Sequence, residues 1–158
     1  MKFTRAGKRK IAFRLDDKET ALLLSVLNRY PRIISARQPL SKTAPSKEDE
    51  ANQRLLDEAL AEQRHENKRH LEALLNDKQR FEHTKTGSAL TLTPSEIEWL
   101  LQILNDVRVG SWILLGAPEN DLWDFELNET TAPAAWAMEA AGFFQMRLLE
   151  ALEGRASR

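Results

Sequence analysis

One pattern occurs twice in this chain, and no other feature limits its architecture as much. Ala12, Leu15 and Glu19 precede Leu23, Leu24, Val26, Leu27 and Asn28; at the same spacing Ala89, Leu92 and Glu96 precede Leu100, Leu101, Ile103, Leu104 and Asn105. Each copy reads as a short strand, a capped helix start and one apolar helical face, because its leucines recur three and four residues apart. Every matched residue has a packing or capping reason for its place. The duplication therefore constrains the fold and leaves the chemistry open.

The remaining elements are placed around these two copies. Lys2 to Arg5 and Lys10 to Leu15 read as a hairpin, with Gly7 between them able to take a positive φ. Asp16 or Asp17 caps the first helix, which carries Leu22, Leu23, Val26, Leu27 and Tyr30 and ends near Arg29 before Pro31. Residues 35–47 read as a mobile loop, rich in proline and small polar residues. Ser46 and Asp49 form a capping box that opens a charged helical stretch to about Glu82. Its apolar residues fall in two groups, Ala51 to Leu60 and Leu71 to Phe81, separated by the polar run Gln63 to His70. That run predicts either a helix crossing open solvent or two helices. Ser88 to Leu92 is a third strand, and Thr93, Pro94 and Glu96 start a helix that Gly116 stops. Within the acidic connection Pro118 to Thr131, Trp123 to Leu127 alternates as a strand would. Thr130 or Thr131 caps a last helix ending near Glu153, before a polar tail at 154–158.

The expected fold is thus mainly α, of the α+β class. It has four to five helices and a small antiparallel sheet, built from the N-terminal hairpin and one or two further strands, in one domain over 1–158. With 158 residues and 42% hydrophobic content the chain can bury a core without disulfide or metal staples. It has no cysteine, which excludes thiolate chemistry and fits a reducing compartment. Twenty-three lysines and arginines against 24 acids give a net charge of -1, so any electrostatic partner must be met by a local patch. The N-terminus lacks the apolar core of a signal peptide, and the run Trp112 to Leu115 is too short to span a bilayer. A cytoplasmic location without membrane contact is expected.

Several residues stand out as candidate sites. A helical wheel places Arg108 beside Ile97, Leu101, Leu104 and Leu115, inside an apolar stripe. It reads either as an inward cation paired with Glu139 or as an anion- or partner-binding arginine. Its neighbours Asn105 and Asp106 are the other binding candidates, and an enzymatic reading would need one pocket lined by Arg108, Asp106, Glu139 and Trp112. Glu62 and His65 match the spacing of a di-iron helix, yet no second copy of that motif exists. Lys8, Arg9 and Lys10, with Lys2, Arg5 and Arg14, form a basic arm free of acids that could grip phosphates. The alternative is that this arm faces the acidic segment Glu119 to Glu129, within the chain or between subunits. Trp136, Phe143 and Arg147 are of the types enriched at interfaces, beside the small residues Ala137, Ala140, Ala141 and Gly142; they suggest a homodimer. No phosphate loop, nucleophile elbow, dinucleotide fingerprint or zinc spacing is present, so no cofactor and no metal is expected.

The hairpin, the run Leu15 to Leu24, the long charged helix, the run Leu92 to Leu100 with Trp99, and then Asn105, Asp106, Arg108, Leu114, Leu115 and Gly116 follow a recognisable order. This order resembles a bacterial domain family of unknown function, often encoded near a Clp-protease adaptor. The resemblance is strongest from Leu92 to Gly116, and it implies a fold and an accessory role in protein turnover, with no catalytic residue. The expected function is a non-enzymatic, helix-rich interaction module, regulator or adaptor, self-associating or meeting a protein partner. The alternative is nucleic-acid binding through the basic arm.

Overall fold

Both copies of the repeat fold as a hairpin followed by a helix, and their inner strands pair with each other. A computed structural model describes residues 1–31, 46–119 and 126–154. Strands β1 (Lys2–Arg5), β2 (Ile11–Asp16), β3 (Phe81–Thr84) and β4 (Gly87–Leu92) form one antiparallel sheet in the order β1-β2-β4-β3. The helices are α1 (Asp17–Asn28), α2 (Lys47–Asn76), α3 (Pro94–Leu114) and α4 (Ala132–Leu152). This is the mainly helical α+β fold expected from the sequence.

The register of β2 against β4 fixes the symmetry. Phe13 and Leu90 occupy the same place in the two copies, and they are also partners across the ladder. On either side Ile11 faces Leu92 and Leu15 faces Ser88, pairs that exchange when the copies are exchanged. A pseudo-two-fold axis therefore passes through the Phe13–Leu90 pair, perpendicular to the sheet. Because side chains alternate across a strand, Phe13, Leu15, Leu90 and Leu92 all point to one face, and all are buried. The opposite face carries Lys2, Thr4, Arg14, Glu82 and Thr84, all exposed.

Each inner strand runs straight into its helix through a capping box. Asp16 accepts from the Glu19 amide at 2.8 Å while Glu19 accepts from the Asp16 amide at 3.0 Å. Thr93 and Glu96 repeat this at 3.3 and 2.8 Å. Two orphan amides are satisfied reciprocally each time, which fixes where the strand stops and the helix begins. Burial pulls the Glu96 carboxyl upward, but hydrogen bonds from Arg80 and Thr93 outweigh it and hold the group below its ordinary value. The two helices then lie on the inner face, where Leu23, Val26, Leu27 and Tyr30 match Leu100, Ile103, Leu104 and Val107 in the other copy; all eight are buried. Thr20 and Ser88 supply the one polar contact at this level, their buried hydroxyls 2.8 Å apart.

Four local readings are corrected. The charged stretch does not stay helical to Glu82: α2 is one unbroken helix that ends at Asn76, and Phe81–Thr84 is a strand. Asp77 turns the chain, accepting from the Arg80 and Phe81 amides at 2.9 and 2.8 Å and from the Gln79 amide through its carboxylate at 2.9 Å. Thr131 makes no side-chain cap for α4. Its hydroxyl donates to the Glu126 carbonyl at 2.6 Å instead, and Asn128 accepts from the Thr130 and Thr131 amides at 2.9 and 3.1 Å. Ala137, Ala140 and Ala141 are buried within the chain, so they belong to its own core and not to a surface between copies. The fourth concerns the acidic connection. Of the expected strand Trp123 to Leu127, residues 123–125 lie outside the described residues, and Glu126 and Leu127 belong to no strand. The expected loop at 35–47, apart from Ser46 and Lys47 at the start of α2, and the tail beyond Gly154 also lie outside the described residues.

Gly87 is where the two copies approach most closely. Its φ is +149°, and a Cβ there would sit 1.9 Å from the Leu15 carbonyl oxygen. Gly7, in the hairpin loop at φ +76°, has nothing within 4 Å of such a Cβ. Gly87→Ala is expected to cost at least about 2 kcal/mol, because strand separation is added to backbone strain. Gly7→Ala should cost only about 1 kcal/mol, the left-handed penalty alone. Denaturant unfolding of the two variants checks the difference.

Candidate functional site

α2 and α3 face each other across a cleft of about 420 Å³. α2 presents Leu60, Gln63, Arg64 and Asn67 to it, a set at three- and four-residue spacing that occupies one side of a helix. α3 presents Leu101, Gln102, Asn105 and Asp106, and Tyr30 enters from beyond the end of α1. The volume falls within the range of ligand-binding clefts.

A short polar network fixes the inner end of this cleft. Asn67 donates to the Tyr30 hydroxyl at 3.2 Å and accepts from the Trp99 indole N–H at 3.0 Å. His70 stacks on Trp99 with ring centroids 4.3 Å apart and an interplanar angle of 23°. One α2 amide thus ties α2 to α3 and to the segment that follows α1. Burial raises the Tyr30 phenol above its ordinary value; Asn67 works against that shift and the charge on Asp106 adds to it.

Asp106 carries the least comfortable charge in the cleft. It is half-buried, and that desolvation pushes its carboxyl above the usual range, with only the Arg64 guanidinium pulling it back. Among the described residues Asp106 and Arg64 form neither an ion pair nor a hydrogen bond, with each other or with any other group. Two opposite charges therefore share the same space without closing.

The candidates named from the sequence are divided among several places. Asn105 and Asp106 come together in this cleft. Arg108 does not join them, because it points to the other side of α3. It is exposed, not inward, and pairs with Gln145 at 3.2 Å instead of Glu139. Its stem lies along α4 near Gly142, and its head stays in water where it meets Gln145. Glu139 is exposed on α4, and Trp112 donates to the Pro118 carbonyl at 3.3 Å. Among the described residues Asp106 lines the α2–α3 cleft, whose lining includes none of Arg108, Glu139 and Trp112.

Trp136 and Phe143 line a second groove, about 610 Å³, formed with Ala21 and Leu22 of α1 and rimmed by Asp16, Lys18 and Glu19. Arg147 is committed elsewhere. It donates to the Met1 carbonyl at 3.1 and 2.6 Å, to Glu150 at 2.6 Å, and lies 5.7 Å from the centre of the Phe3 ring. It clamps β1 onto α4.

Lys8, Arg9 and Lys10 are exposed at the hairpin tip. The described ends of the acidic connection, Glu119 and Glu126, do not meet them. α3 starts beside the hairpin and carries the chain roughly 30 Å away over its 21 residues. Glu62 and His65 are both exposed, and among the described residues no group of three acids or histidines could hold a metal. No described helix is long and apolar enough to cross a membrane.

Arg64, Asn67 and Tyr30 were not singled out in the sequence. The signal available was Asn67 and Arg64 continuing the spacing of Leu60, Leu71 and Leu74, which marks the inner side of α2 despite their polarity. Comparison of the chain with protein-family models, with curated proteins and with solved structures finds no match.

The raised Asp106 carboxyl has a definite consequence for stability. A group whose folded value is raised favours the folded state at low pH and loses that contribution as pH rises through the folded value. Asp106→Asn is therefore expected to be more stable than the natural chain at pH 7. The gain should be a few tenths of a kcal/mol, because half of the side chain remains screened by water. The difference should disappear below the unfolded carboxyl range near pH 4. Thermal unfolding of both proteins across this range checks the sign.

Proposed function

We propose that this chain is a non-enzymatic interaction module, a regulator or adaptor that pairs with a second copy of itself. The observation that carries this reading is the groove between α1 and α4. Trp136 keeps 48% of its surface in water at the rim of a depression lined by Ala21, Leu22 and Phe143. A projecting indole beside an apolar depression is a knob and a hole on one face, which is what a two-fold, self-complementary contact requires. Burying an aromatic anchor in such a place supplies a large part of the binding energy of an interface. The resemblance to a family encoded near a Clp-protease adaptor supports protein turnover as the process being regulated.

Sedimentation at increasing concentration tests the pairing. The natural chain should show a mass that rises from monomer toward dimer, and Trp136→Ala with Phe143→Ala should remain monomeric at every concentration. A mass that stays monomeric in the natural chain removes the reading.

Nucleic-acid binding is the second reading, and it rests on one contact. Lys2 and Arg14 are direct cross-strand neighbours on the exposed face of the sheet, and like charges so placed repel unless an anion lies over them. Lys8, Arg9 and Lys10 extend this patch into the loop. Retention on heparin should then fall steeply with salt, and changing those three residues to glutamine should reduce the slope of log affinity against log salt by roughly 3. Equal retention of both proteins at every salt concentration would exclude the patch.

A further inference from the structure

The α2–α3 cleft has a use that pairing through α1 and α4 does not explain. It offers a carboxylate from α3, Asp106, and a guanidinium from α2, Arg64, facing one space and left unpaired by the chain. A net-neutral cleft of this kind gives no advantage to a simple cation or a simple anion. It favours a molecule that carries both charges at once and can satisfy both walls. Between and beside the charges stand the Gln63, Gln102 and Asn105 amides, which can both donate and accept. Leu60 and Leu101, one from each wall, provide an apolar contact.

We propose that the cleft binds a small zwitterion with an apolar side chain, a free amino acid or a dipeptide, its ammonium at Asp106, its carboxylate at Arg64 and its side chain between Leu60 and Leu101. Charge-assisted hydrogen bonds are the strong ones, and here each would replace a charge left partly desolvated. Ligand binding at this position would also hold α2 to α3 ahead of the Asn67 network. The inference is independent of self-association, because the two grooves share no residue.

The experiment is a titration of the full chain, labelled with nitrogen-15, with L-leucine, L-phenylalanine and the dipeptide Leu-Leu. N-acetyl-leucine and leucinamide, which each lack one charge, are titrated in parallel. Saturable shifts of the Gln63, Asn67, Gln102 and Asn105 signals by at least one free zwitterion are expected, with binding at least about tenfold weaker for each blocked form. Asp106→Asn and Arg64→Gln should each weaken the free zwitterion by a similar factor, and the first of these is expected to keep its fold, being the more stable protein at pH 7. No saturable shift up to about 10 mM of any free zwitterion overturns the proposal. So does equal binding of the blocked forms, or unchanged binding in both folded variants.

Discussion

The sheet has a single apolar face, and that face has room for two helices. Phe13, Leu15, Leu90 and Leu92 must be removed from water, and the strands that carry them lead directly into α1 and α3. The capping boxes decide where each helix leaves its strand, contributing about 1 kcal/mol each. The leucines, at roughly 1.5–3 kcal/mol apiece, supply the larger driving force. Once α1 and α3 occupy the face, the other helices have to pack around them. α4 packs against α3, with Ala137, Ala140 and Ala141 buried in the shared core.

Two of the depressions that this arrangement leaves differ in chemistry. Between α1 and α4 the lining is apolar and aromatic, because both helices turn hydrophobic side chains toward each other and α1, only 12 residues long, cannot cover all of α4. Between α2 and α3 it is mostly polar, because α2 turns Gln63, Arg64 and Asn67 toward α3 midway along its length and buries only Leu71 and Leu74, in its last two turns. A protein surface and a small charged molecule make opposite demands of a site. The fold provides a place suited to each.

Much of this was legible in the sequence, and the failures have physical causes. The repeat marks the strand-to-helix junctions: Thr93, Pro94 and Glu96 set the second, while Asp16 and Asp17 both offer a cap for the first. Strand β3 was missed because Leu71, Leu74, Leu75 and Phe81 sustain a helix-like apolar spacing and no glycine or proline interrupts it. The repeat itself held the missing signal, since the first copy has an outer strand and the second copy needs its counterpart: Phe81 pairs with Leu90 as Phe3 pairs with Phe13. Arg108 was read as inward because a helical wheel shows an angle and not a neighbour, and its head stays exposed and meets Gln145 of another helix. Asn67 was passed over because hydropathy counts an amide as surface, although this half-buried amide holds Tyr30 and Trp99 together.

The axis through Phe13 and Leu90 has a meaning of its own. A strand whose central residue faces its own counterpart carries both halves of the contact, so each copy could in principle pair with another identical copy. The present chain is equivalent to such a pair fused in tandem, with α2 as the tether. Covalent linkage turns what would be a concentration-dependent meeting of two small units into an intramolecular event at high effective concentration. It also frees the two halves from identity. One helix has 21 residues and forms a wall of the cleft while the other has 12, a difference that strict symmetry forbids.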